Sequence, residues 1–446
     1  MNWRTKIGRG LDKLKWSSRS FEDMFSPKKE FDEKYKNIFN GFYKKFTAKP
    51  IAPTKEEMEK LYEPLAKDQL KEFSTYLKME EKKVKCLFTG HHGSGITTEL
   101  NALTYQLRDN FYTIKFSALE ISEANELEYQ DIFFLMGMRL LEELLNFEKD
   151  ENYNSAYEFY LRYTKPPVPI TDNIDYKAKF KDICFILKIE TESRKSLRKD
   201  IDDNLLMIIK LINKATEKIE QQTNKKILII VDDIEKINVQ SALKIFDDNS
   251  SRLLLPACRI IYTMPFLAYH TQKFPTFGHR YDRCIIMPLV KIYTKDDKEV
   301  EKAMEVFEKI VSKRMDIKIY YDIEVLADII IRTGGLVKCL IYLVRQCCYE
   351  ITRDPREMID DEILGRVVKQ WKAVQYPLLN IETRSALRKV AKSKSKNIKD
   401  DLFAELFNRD LILEYRNNEI WFNIHPLVRA AIEEPEEPEY ADITKK

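Results

Sequence analysis

Residues 85–100, KCLFTGHHGSGITTEL, decide the fold. The short apolar run Cys86, Leu87 and Phe88 reads as a buried strand, Gly90 to Gly95 as a loop, and Thr97-Thr98-Glu99-Leu100 as the opening of a helix. A phosphate-binding loop has the form G-x-x-x-x-G-K-[ST], because glycines let backbone N–H groups turn inward and cradle phosphate at a helix N-terminus. Gly90, Gly95 and Thr97 fall on three of the four diagnostic positions. The fourth, where a lysine should reach the β- and γ-phosphates, is Ile96. His91, His92, Gly93 and Ser94 fill the variable positions, and the two histidines read as loop residues rather than as catalytic groups.

A second stretch corroborates the first. Residues 226–235, KILIIVDDIE, hold five apolar residues in a row, as in a central parallel strand covered on both faces. Asp232 and Asp233 end it, where ligands bind in open α/β sheets. Downstream of a phosphate loop, the first acid is the candidate Mg²⁺ ligand and the second can polarise the attacking water. The competing reading is that one of them caps the next helix. Further strands are read at 111–119, at 258–264 ending near Thr263, and around 284–287, with helices between. The expected fold is therefore α/β, a doubly wound parallel sheet of about five strands.

Composition bounds the rest. The 446 residues suffice for two or three domains, and 75 basic against 72 acidic residues give a net charge of +3 that selects no partner. Seven cysteines without a C-x-x-C pair, several in apolar runs, suit a reducing compartment, so the expected location is cytoplasmic. The five histidines lie far from any cysteine cluster, and no run long enough to span a membrane is present.

Five parts are expected: a helical and basic extension (1–64), a nucleotide-binding core (65–292), a helical lid (293–375), a winged helix (376–434) and an acidic tail (435–446). Residues 1–20 carry six cations and apolar residues at helical spacing, either a basic amphipathic helix for a partner groove, a membrane surface or nucleic acid, or, given Gly8 and Gly10, a frayed or partner-docked tail. The core contains an insertion at about 148–200 that is charged and poorly periodic, followed by one long helix over about 197–222. In the lid, Thr333-Gly334-Gly335-Leu336-Val337-Lys338 interrupts helical sequence and ends in a cation, either approaching the nucleotide or simply turning between helices. Two helices and a hairpin form the last module, and Arg384, Arg388, Lys389, Lys392, Lys394 and Lys396 cluster at its start, a candidate phosphate-contacting face or a solvated one.

The loop GHHGSGITTEL, the VDDIEK acids, the RIIYT strand, the TGGLVK turn and the C-terminal module occur in this order in AAA+ ATPases. Over roughly residues 65–432 the chain resembles their STAND and initiator-like branches, including bacterial ATPases of antiphage conflict systems. The resemblance implies that Gly90 to Thr98 bind the phosphates of ATP or ADP, that Thr97 and Asp232 ligate Mg²⁺, that Asp233 polarises water, and that Thr263 and Lys338 are the two nucleotide-sensing positions. It assigns no arginine finger; Arg252, Arg280 and Arg283 lie near the region where neighbouring AAA+ subunits usually supply one. Ile96 departs from the pattern and removes a cation from the γ-phosphate, where charge stabilisation dominates the chemistry. The expectation is an ATPase-like P-loop protein of weak or no hydrolysis, a nucleotide-binding switch or scaffold that oligomerises and acts with an effector protein. The alternatives are an active ATPase working on DNA through its winged helix, with Lys338 or a neighbour's side chain replacing the missing lysine, and an inert P-loop fold kept for assembly.

Overall fold

The computed structural model describes residues 28–147, 153–164, 175–416 and 419–433. The basic segment 1–20, the prolines at 166, 167 and 169, the hairpin turn at 417–418 and the acidic tail lie outside the described residues. The chain forms two units, one of residues 67–92 and 99–287, the other of residues 1–66, 93–98 and 288–446.

The first unit is built on a five-stranded sheet: β1 Lys85–Gly90, β2 Phe111–Ser117, β3 Lys226–Asp232, β4 Arg259–Thr263 and β5 Arg283–Met287. All pairings are parallel and the order is β2-β3-β4-β1-β5. A parallel sheet needs cover on both faces, and the continuous apolar runs satisfy this: every residue of β1 and β4 is buried, and all of β3 after Lys226. The edge strand β2 instead alternates buried and half-buried residues. Along the other edge, β5 receives the helix Lys67–Met79, with the Arg283 guanidinium 4.1 Å from the Tyr76 ring centroid.

The helix Tyr129–Leu144 is buried almost all round, lying between β2 and the helices of the insertion. Asp131 on it is fully buried and takes two hydrogen bonds from Arg198, 3.0 Å from Nε and 2.7 Å from Nη2, which ties the insertion to the core. The insertion is helical where described, with Asn154–Leu161, Tyr176–Ile189 and Thr191–Asp203. The single long helix expected over 197–222 is two helices, Thr191–Asp203 and Leu205–Thr223. The break falls at Asn204, whose backbone leaves helical geometry (φ −118°, ψ 20°) and whose side-chain amide also donates to the Asp200 carbonyl (2.8 Å).

The second unit is helical. Glu301–Ser312, Ile323–Arg332, Val337–Arg353 and Asp361–Gln375 share one apolar core, to which Phe39 of the helix Lys28–Lys45 and Phe46 just after that helix contribute. The last module has helices Ile381–Ser393 and Asp400–Asn408, then the antiparallel pair β6 Ile412–Arg416 and β7 Ile420–Ile424. This is a winged-helix arrangement. Four of the six cations read as a candidate phosphate-contacting or solvated face make contacts within the chain. Arg384 and Arg388 donate to the Ala431 and Ile432 carbonyls, Lys394 pairs with Asp297 and Lys396 with Asp400. All seven cysteines are free thiols, and among the described residues no helix is long and apolar enough to cross a membrane.

Candidate nucleotide and metal site

The C-terminal ends of β1, β3 and β4 lie side by side in the sheet unit. At the end of β1, the Thr89 hydroxyl donates to the Met264 carbonyl (2.7 Å), fastening the start of the loop to the strand beside it. His91 is buried, its ring 5.1 Å from Phe266 in an edge-to-face contact, which makes it a wall of the loop; His92 is exposed.

Gly93 to Thr98 belong to the helical unit. Gly93 (φ +81°) and Gly95 (φ +98°) adopt a conformation that side-chain-bearing residues rarely enter, so the loop needs glycine at both. A Cβ on Gly93 would meet Lys338 Cβ at 2.8 Å, and one on Gly95 would meet Leu65 Cδ1 at 3.0 Å. The Ser94 hydroxyl is buried without a hydrogen-bond partner. Ile96, in the lysine position, is buried, and the helix starts there and runs to Leu107. Thr98 accepts from the Ile51 amide (3.4 Å). Lys338 comes to the loop through its backbone, its N–H donating to the Gly93 carbonyl at 3.0 Å.

The Lys338 turn is held from the other side as well. The Tyr415 hydroxyl donates to the Gly334 carbonyl (2.6 Å), and Gly335 (φ +92°) comes so close to Val290 that a Cβ would lie 2.0 Å from its carbonyl oxygen. Asp410 is near Lys338; burial raises its pKa to about 7 although the Lys338 charge opposes the shift.

At the end of β3, Asp232, Asp233 and Glu235 bring carboxylate oxygens within 4.8 Å of one another. Asp232 is nearly buried, accepts from the Asp233 amide (3.0 Å) and is paired with the Lys115 ammonium at 2.9 Å. Asp233 has φ +69° and pairs with Lys236 at 2.5 Å. Burial works against its charge, but hydrogen bonds from Lys236 and Ser117 prevail and hold its pKa below the usual carboxylate range. Glu235 goes the other way: burial first, then the Asp232 charge, push its pKa up to about 7, and its Oε2 is buried without a partner. Thr263, fully buried at the end of β4, accepts from the Ile234 amide (3.0 Å) and hydrogen-bonds Glu235. It therefore fixes the loop that carries the acids.

The three candidate finger arginines are engaged within the chain: Arg280 with the Asp247 carbonyl and Ser250, Arg283 with Glu72, and Arg252 against the Tyr129 ring. Two groups were not anticipated from the sequence. Glu235 was legible as an acid two residues beyond the pair, whereas Lys115 is an isolated lysine in FYTIKFS that becomes part of the site because β2 pairs with β3.

A parallel sheet with a glycine loop after β1 and acids after β3, a helical lid and a winged helix together define the architecture. It is an α/β fold, a doubly wound parallel sheet in one unit, with a second unit of helices that ends in a winged-helix arrangement. No protein-family model matches the chain, and no curated protein sequence matches it. Among solved structures, Cdc6p from Pyrobaculum aerophilum is 12% identical, with 87% of this chain and 96% of that one covered and a TM-score of 0.39. The Aeropyrum pernix Orc1 protein in complex with DNA is 10% identical (85% and 95% covered, TM-score 0.37). The Thermotoga maritima RuvB Holliday junction branch migration motor is 9% identical (83% and 94% covered, TM-score 0.36).

Proposed function

We propose that this protein is a nucleotide-binding switch or scaffold that holds ATP or ADP with Mg²⁺ and hydrolyses it slowly or not at all. The observation that carries the reading is the loop itself: glycines at positive φ, a buried Ser94 hydroxyl left without a partner, and Ile96 where the phosphate-reaching lysine belongs. An unpaired buried hydroxyl is costly, and a phosphate oxygen would satisfy it. The acids fit a divalent cation by the same criterion, since Glu235 Oε2 is buried without a donor beside two further carboxylates. Gly90 to Thr98 would hold the phosphates, Thr97 and Asp232 the ion, with Asp233 positioned toward water and Thr263 and Lys338 reporting on the nucleotide. The ion would supply charge neutralisation at the phosphates. Without the lysine, that neutralisation is incomplete, and binding outlasts chemistry.

The switch would act by self-assembly and through an effector protein, in bacterial antiphage defence; that setting rests on the resemblance of the motifs alone. Calorimetry with ATP and ADP at millimolar concentration tests the reading, and absence of binding to either sinks it. The alternative, an ATPase working on DNA, predicts salt-dependent DNA binding and DNA-stimulated turnover. The engagement of Arg384, Arg388, Lys394 and Lys396 inside the chain weighs against it.

A further inference from the structure

We infer that Lys115 is a resident counter-cation of the acid edge, occupying the charge-balancing role at Asp232 that a divalent ion must take over, and so sets how strongly the site depends on Mg²⁺. The inference rests on the reading of Asp232 as a metal ligand. Lys115 lies in β2, two residues before Ser117, which stands opposite Asp232 in the β2–β3 register. Its ammonium is 2.9 Å from Asp232 Oδ2 and donates to Asn101 Oδ1 at 2.5 Å, so the side chain is anchored on two sides. The Asp232 carboxylate is nearly buried and the lysine side chain only 19% exposed, which keeps solvent screening low.

The charge balance makes this consequential. Three carboxylates, Asp232, Asp233 and Glu235, share the edge with two ammonium groups, Lys115 on Asp232 and Lys236 on Asp233. Lys236 follows the acids on their own loop and is 42% exposed, so it can move aside. Lys115 projects from a paired strand and cannot withdraw without breaking the contact with Asn101. A divalent ion approaching Asp232 therefore meets a fixed positive charge. Metal affinity in oxygen-ligand sites follows the net charge of the ligand set, and Lys115 subtracts one unit from it. The same ammonium keeps the acids compatible with burial when no metal is present, as a buried carboxylate without a partner would be costly.

The test is Mn²⁺ binding to the full chain without nucleotide, read by electron paramagnetic resonance of the free ion. Lys115→Met is expected to bind Mn²⁺ about tenfold tighter than the parent protein, as removal of one opposing charge implies. Lys115→Gln, which retains a donor for Asn101, should show the same gain, while Lys115→Arg should show none. Adding Asp232→Asn to Lys115→Met should abolish the gain. Equal Mn²⁺ affinity in the parent, Met and Gln forms, a gain in the Arg form, or a gain that survives loss of Asp232 would each overturn the inference. Because the probe is the metal alone, a tighter Mn²⁺ site stands even if ATP binds to no variant, an outcome that would overturn only the nucleotide reading.

Discussion

The acid edge of the sheet unit and the Gly334–Lys338 turn of the helical unit solve positioning in opposite ways. At the acid edge, charge does the work: Asp232 is held by Lys115, Asp233 by Lys236, and Glu235 is left with a buried oxygen without a donor. In the turn, backbone does the work: Gly335 touches a carbonyl, Gly334 accepts from Tyr415, and the Lys338 amide donates to Gly93. A charge-built site can exchange one cation for another with little movement, whereas a backbone-built turn tolerates almost no added atom. The first suits a place where ligands come and go; the second suits a rigid connection.

The largest expected effect breaks the second half of this contrast. Gly335→Ala puts a Cβ 2.0 Å from the Val290 carbonyl at φ +92°, and should cost on the order of 4 kcal/mol or prevent folding. Thermal unfolding of the variant measures it, and a melting temperature within a degree of the parent's would remove the rigid-turn argument.

The winged-helix module supplies the next largest effect, through pH. His425 is buried, stacks on Trp371 and accepts at Nδ1 from the Leu427 amide, and burial lowers its pKa to about 4. The folded state therefore takes up its proton later than the unfolded chain as pH falls. Stability is unaffected at pH 7 and declines between about pH 6.5 and pH 4, by roughly 3 kcal/mol at the acid end. Melting temperatures across this range should fall less steeply in His425→Gln.

At the acid edge, Thr263→Val removes the hydroxyl that accepts from the buried Ile234 amide, and about 2 kcal/mol should be lost. Hydrogen exchange at the Ile234 amide should accelerate in this variant; unchanged exchange would mean that Thr263 does not hold the acid-bearing loop.

A second pH effect, comparable in size to that at His425, runs the other way. Asp410 has its pKa raised to about 7, so the folded state keeps a proton that the unfolded chain releases earlier. Its contribution is lost as pH rises through that range, and Asp410→Asn should be more stable than the parent above pH 7 and equal to it below pH 4. The asparagine also accepts the φ of +56° at this position.

Much of this was legible in the sequence, for a physical reason. The strands β1, β3 and β4 are central and covered on both faces, so burial wrote itself as unbroken apolar runs in CLF, ILIIV and RIIYT. The glycines of the loop were legible because positive φ leaves few other residues. What escaped depends on pairing across the chain. Lys115 joins Asp232 only through strand order, and Arg384 and Arg388 reach carbonyls more than forty residues later. The break at Asn204 escaped because helical periodicity continues across it and the backbone of a single residue departs from the helix.

The central claim is that the loop binds nucleotide while Ile96 withholds the cation needed for chemistry. Mg-ATP binding by calorimetry and phosphate release, measured on the parent protein beside Ile96→Lys, tests it most directly. The account predicts binding in both, turnover near background in the parent, and at least about a tenfold rise in the lysine variant, the size expected for one charge restored at a transferring phosphate. Equal turnover in the two proteins, or no nucleotide bound by either, would contradict it.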